Sequence, residues 1–165
     1  MRAIYSLAAE LGKPVLMHFQ KLTADFNSGF TRFPAILKTF PNTTFLGNEN
    51  YFRANVSANE PTGVSYPGGK VKPGVLTDRM PAGFPNLDGD LSAHLGRNSL
   101  APHPDHAARF LERHRRKLLF RSDRPCPIGR TECTARTTLT HFETLASPEV
   151  FAKIAFGNTT KSLKL

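Results

Sequence analysis

Short apolar runs alternate with amphipathic segments along most of the chain. The apolar runs predict strands near residues 14–18, 43–48, 86–92 and 117–122. Helical periodicity predicts helices over residues 3–11, 30–40, 104–116 and 135–145, and Ser147-Pro148 predicts the start of another. Residues 59–85, rich in proline and glycine, predict a long inserted loop. A helix between two strands is typical of βαβ units, so the pattern predicts an α/β fold with a parallel sheet.

Three of these strands lead into a polar residue that could carry chemistry. His18 and Asn48 end the first two strands, and Asp123 follows the last. The carboxyl ends of parallel strands are where α/β folds build their active sites, so we expect all three side chains at one edge of the sheet. We expect His18 and Asn48 to be close neighbours, with Asp123 facing them. The alternative is that all three are unrelated turn residues, Asp123 merely capping the next turn.

Size and cysteine content favour one globular domain over residues 1–165. The chain has 165 residues and 39% hydrophobic content, which is enough for one core. Cys126 and Cys133 do not have the spacing of a zinc ribbon. Glu10 interrupts the first apolar stretch, and no run reaches the roughly 18 apolar residues of a membrane helix. We therefore expect a cytoplasmic protein with no membrane partner.

The net charge of +9 raises the question of nucleic-acid binding. Arg109, Arg113 and Arg116 would form one stripe of the predicted helix, opposite Phe110 and Leu111. Such a stripe is typical of a solvated helix face, and no aromatic residues are interleaved with it. Nucleic acid is therefore not the partner that we predict.

Taken together, the strands and their flanking residues resemble the C-terminal half of an amidohydrolase-related protein, from the metal-dependent hydrolase and decarboxylase branch of the amidohydrolase superfamily. The similarity lies in Glu10–His18, Gly89–Ala93, Phe110–His114, Leu118–Asp123 and Lys153–Asn158. It implies a partial (β/α)₈ TIM barrel, roughly strands five to eight with their helices.

The resemblance also implies roles for individual residues. His18 matches a metal-binding histidine, and Asp123 matches the aspartate that binds metal or accepts a proton from the attacking water. The implied cofactor is a divalent metal ion such as Zn²⁺, which lowers the pKa of bound water to about 7. Asn48 stands where the family has another histidine, and Arg121 replaces a small glycine; we assign these two residues to substrate binding.

The resemblance leaves two functions open. One is hydrolysis or decarboxylation of a small molecule, with a complementing N-terminal half or a second copy of the chain supplying what is missing. The family's His-x-His metal pair lies in that half and occurs nowhere in this sequence. The other is a non-catalytic remnant or scaffold of the same fold. In either case we expect the isolated chain to be inactive, to bind zinc weakly, and to expose apolar surface along an open sheet.

Overall fold

One parallel sheet organises the fold. The computed structural model describes residues 1–18, 32–48, 76–123 and 133–165. Within these ranges the strands are β1 (Val15–His18), β2 (Phe45–Asn48), β3 (Leu87–Asp90) and β4 (Leu118–Leu119). They pair in the order β1-β2-β3-β4, with every pair parallel. The predicted α/β class and the four predicted strands are confirmed.

Strand β4 is shorter than the sequence predicts. The predicted strand covered residues 117–122, but pairing with β3 ends at Leu119, the partner of Asp90. The next amide, that of Phe120, donates to the carbonyl of Ile154, 2.9 Å away and outside the sheet. The last bond between β3 and β4 runs from the amide of Leu91 to the carbonyl of Leu119 at 2.8 Å, whereas the Phe120 amide lies on the other side of β4.

Helices precede, connect and follow the strands within the described ranges. They are α1 (Arg2–Glu10), α2 (Phe33–Thr39), α3 (Leu76–Gly83), α4 (Ala93–Leu100), α5 (Pro104–Arg113), α6 (Thr134–Leu145), α7 (Pro148–Ala152) and α8 (Asn158–Leu163), with a π-helical turn (Lys153–Gly157) between the last two. Ser147 caps α7 as predicted, since its hydroxyl accepts the amide of Val150.

Two of these helices correct the sequence prediction. Helix α3 lies within residues 59–85, which were predicted to be a loop, and α4 was not predicted at all. In α3 the side chain of Met80 is buried and packs with Phe33 and Phe45. Helix α4 comes close to the end of β3 at Gly96, where a Cβ atom would overlap the carbonyl of Leu91. Both helices therefore depend on tertiary contacts that local periodicity does not contain.

Alternate residues of each strand face the helices. Met17 of β1 packs on a cluster built from α1, α2, α3 and the strands, and Leu118 of β4 packs on a second cluster with α4, α5 and α6. The opposite face carries Leu16, Leu46 and Leu119. Leu16, on β1, is 44% exposed, whereas Leu46 and Leu119 are buried. The expected exposed apolar surface on this face is thus confined, among the described residues, to β1.

The first helix exposes apolar side chains as well. Ile4, Leu7 and Leu11 follow helical spacing along α1 and are each more than half exposed. Within the described ranges β1 pairs only with β2, so it is an edge strand. No helix in these ranges is long and apolar enough to cross a bilayer.

Candidate functional site at the carboxyl edge of the sheet

His18 and Asn48 are direct neighbours at the carboxyl edge. They are the last residues of β1 and β2, and the parallel register makes them partners. Their predicted proximity is confirmed. The two environments differ, because His18 is exposed whereas Asn48 is only 3% exposed. His18 can therefore meet a solvent-borne group more readily than Asn48.

Asp123 lies beyond this edge rather than at the end of a strand. Strand β4 ends at Leu119, four residues earlier, so the expectation that Asp123 directly follows the strand is wrong. Asp123 is exposed and has a left-handed backbone with φ of 47°. Aspartate adopts this conformation more readily than most residues, which suits it to a turn. The described contacts do not join Asp123 to His18 or Asn48.

Asp90 also lies at the carboxyl edge, although the sequence analysis assigned it no role. Gly47 pairs with Gly89, so one residue further on Asn48 and Asp90 stand level, and Asp90 in turn pairs with Leu119. The row across the sheet is therefore His18, Asn48, Asp90 and Leu119. These side chains share the face opposite the helix-packed Met17.

The carboxylate of Asp90 is fully buried and held on both oxygens. Its Oδ1 accepts the amide of Ser92 at 2.9 Å, and its Oδ2 accepts the hydroxyl of Ser92 at 2.8 Å. Arg121 donates from Nε to the same Oδ2 at 3.1 Å and also pairs with it through Nη2. A buried carboxylate is tolerated when it is paired and hydrogen-bonded in this way. The Asp-Leu-Ser sequence is the local signal for such a turn.

Arg121 is thus tied to Asp90. Its side chain remains 31% exposed, while that of Asp90 has no exposure. The predicted role of Arg121 in substrate binding would have to use the guanidinium atoms that do not contact Asp90. The more direct consequence of the geometry is that Arg121 neutralises a buried charge at the edge of the sheet.

The described residues do not by themselves fit a catalytic zinc centre. Among residues 1–18, 32–48, 76–123 and 133–165, no three His, Cys, Asp or Glu side chains are grouped so that they could hold a metal ion. Catalytic zinc sites usually have three protein ligands. His18 is a suitable donor, the Asn48 amide is a weak one, and the Asp90 oxygens already accept hydrogen bonds from Ser92 and Arg121.

No family model, no curated protein and no solved structure matches this chain.

Proposed function

We propose that the chain is an amidohydrolase-like half barrel that takes part in metal-dependent hydrolysis or decarboxylation of a small molecule when a complementing half is present. His18 would be one metal ligand, and Asp123 would be a ligand or the base that accepts a proton. Asn48 and the exposed part of Arg121 would contact substrate. The remaining metal ligands would come from the complementing half.

One observation supports this proposal above the others. His18 and Asn48 are register partners at the carboxyl ends of adjacent parallel strands, which is where barrel enzymes place their reactive groups. Asp123 lies beyond the carboxyl end of β4, so in this proposal it would reach the site from the segment that follows the strand.

A complementing half would have a surface to cover. Within the described ranges the edge strand β1 pairs only with β2, and apolar area is exposed by Leu16 on β1 and by Ile4 and Leu7 on α1. A second copy of this chain could cover the same surface. Sedimentation at increasing protein concentration would show a monomer if a different half is needed, and a dimer if the chain completes itself.

The second candidate function is a non-catalytic scaffold. The contact between Asp90 and Arg121 favours it, because a carboxylate closed off by an arginine is unavailable to a metal ion. The amide at Asn48 favours it too, since imidazole binds Zn²⁺ better than a neutral amide does.

Zinc titration of the purified chain and of its variants separates the two functions by showing which residues bind the metal. We expect weak binding, with a dissociation constant above about 1 μM, since too few good ligands are present. His18→Ala and Asp123→Asn should each remove this binding. The control His103→Ala, at the residue that precedes α5, should not. Asparagine is chosen at 123 because it tolerates the left-handed backbone.

Calorimetry together with amide NMR shifts provides the readout. If the amide signals of both His18 and Asp123 shift at the lowest zinc concentrations, the two residues share a site. Residual binding that survives both substitutions would overturn the assigned roles and leave the scaffold. Tight stoichiometric binding by the monomer would instead overturn the need for a complementing half.

A further inference from the structure

A basic cavity lies at the opposite, amino edge of the sheet. Its volume is about 500 Å³, and its lining comes from the residues that precede or begin the strands together with helix α8. Lys13 precedes β1, Thr44 precedes β2, Pro85 precedes β3 and Lys117 precedes β4. The cavity is therefore separated from the carboxyl edge by the length of the strands.

Positive charge dominates this lining. It contains five lysine and arginine residues and one carboxylate, that of Asp88; the five are Lys13, Arg116, Lys117, Lys161 and Lys164. Asp88 pairs with Lys117 at 3.4 Å. Asp88 also lies close enough to Lys161 for the two charges to interact, and the lining still has five cations for one carboxylate.

Two of the cations, Lys13 and Lys164, contact the main chain beside the cavity. Lys13 Nζ donates to the carbonyl of Leu163 at 3.1 Å. The side chain of Lys164 lies against Gly12, whose φ is 59° and where a Cβ atom would overlap the lysine Nζ. Glycine at this position satisfies the positive φ and leaves room for the ammonium group. These contacts place both ammonium groups beside the cavity, while the two side chains remain exposed to solvent.

The turn that carries Arg116 is fixed as well. Asn158 Nδ2 donates to the carbonyls of Arg115 and Leu118, both at 2.7 Å, and so bridges the two ends of that turn. Nearby, the buried Oγ of Ser162 has no hydrogen-bond partner among the residues the structure describes. The fixed backbone of this turn brings Arg116 to the same recess as Lys161 and Lys164, which favours a site over a diffuse patch.

We propose that this cavity binds a small phosphorylated molecule carrying at least two negative charges. Its phosphate groups would lie between Arg116, Lys161 and Lys164. Lysine and arginine bind phosphate through charge-assisted hydrogen bonds, and arginine can do so through two bonds at once. The site does not use His18, Asn48 or Asp123, so it stands independently of the function proposed for the carboxyl edge.

The shape of the site favours a small molecule over a polynucleotide. A volume near 500 Å³ is within the range of about 300–1,000 Å³ typical of small-molecule pockets. The cations converge on a recess between strand ends and α8, whereas duplex recognition uses a stripe that follows the phosphate backbone. A small ligand such as pyrophosphate can enter the recess.

Asp88 is expected to oppose the ligand. Burial raises the pKa of its carboxyl, and the charges of Lys117 and Lys161 partly offset that rise. When ionised, Asp88 repels an anion and neutralises part of the cationic lining. Asp88→Asn should therefore strengthen binding, which is the opposite of the effect of removing a lysine.

Pyrophosphate titration of the whole chain tests the site. We expect saturable 1:1 binding by calorimetry at low ionic strength, which weakens as salt is added. Lys161→Gln and Arg116→Gln should each weaken binding about tenfold, the effect of one lost charge-assisted contact. Lys38→Gln and Arg109→Gln remove one exposed positive charge each, on α2 and α5, and should change binding less than about twofold.

Three outcomes would overturn the proposal. Equal losses in the cavity and control variants would mean general attraction to a basic protein. An absence of saturable binding by the wild-type chain would mean no site. Binding of duplex DNA that pyrophosphate does not displace, and that is lost in Arg109→Gln, would assign the charge to nucleic acid. Circular dichroism of each variant confirms that it is folded.

Discussion

The two edges of the sheet differ in whether their charged side chains are paired. At the carboxyl edge the buried Asp90 is closed off by Arg121 and Ser92. At the amino edge a single carboxylate, Asp88, stands among five cations around a cavity. Charge is compensated within the chain at one edge and left in excess at the other.

Burial explains this difference. Asp90 has no exposed surface, so an unpaired charge there would be strongly destabilising. Lys13, Lys161 and Lys164 are exposed, and solvent screens their mutual repulsion. The comparison shows that a paired charge at a strand end can be structural, whereas an uncompensated cluster remains available to a ligand.

The largest effect is expected from Arg121→Met at the carboxyl edge. It removes the cation from a fully buried carboxylate and should lower the free energy of unfolding by about 3 kcal/mol. Urea denaturation measures the change. The exposed pair of Arg115 with Glu112 is the matched control, and Arg115→Met should cost less than about 1 kcal/mol.

A second substitution identifies the cause. Asp90→Asn combined with Arg121→Met should cost less than Arg121→Met alone, because no unpaired charge then remains buried. The Oδ1 of asparagine can still accept the amide of Ser92, and its Nδ2 can donate to the Ser92 hydroxyl, which reverses that second hydrogen bond. Equal losses in the single and double variants would contradict the role given to charge compensation.

A smaller loss is expected from Lys117→Met at the amino edge. The ammonium of Lys117 donates to the carbonyls of Phe84 at 3.2 Å and Leu87 at 3.0 Å, and also to that of Pro85. Removing it should lower the free energy of unfolding by about 1–2 kcal/mol, the cost of partly solvated carbonyls left unpaired. Thermal melting is the measurement, and a loss larger than that of Arg121→Met would reverse the comparison.

The smallest and oppositely directed effect is expected from Asp88→Asn. Burial raises the pKa of Asp88, so its neutral form is more favoured in the folded state than in the unfolded state. The stability that this provides is complete below the unfolded pKa of about 3.9 and is lost as the pH rises through the raised value. Asp88→Asn should therefore be more stable than the wild-type chain at pH 7, with the difference shrinking in acid. A variant less stable at pH 7 would show that the ion pair with Lys117 outweighs burial.

The strands of the sheet could be predicted from the sequence more accurately than the residues of the candidate site. Runs such as Val15–His18 are short and apolar, so their positions could be predicted, and βαβ order implied parallel pairing that brings His18 to Asn48. The importance of Asp90 could not be predicted, because Arg121 lies 31 positions away in the chain. Helix α3 was missed because its packing, rather than its periodicity, stabilises it.

By itself, the sequence determined the α/β class, the four strands and the identity of two residues at the carboxyl edge. These follow from local patterns, since the spacing of apolar side chains reports which face of a strand or helix is buried. Only the tertiary structure decided where charge is compensated and where it accumulates. Pairing of Asp90 with Arg121, and convergence of Lys13 with Arg116 and Lys161, join segments far apart in the chain. Electrostatic energy depends on distance in space, which the order of residues does not specify.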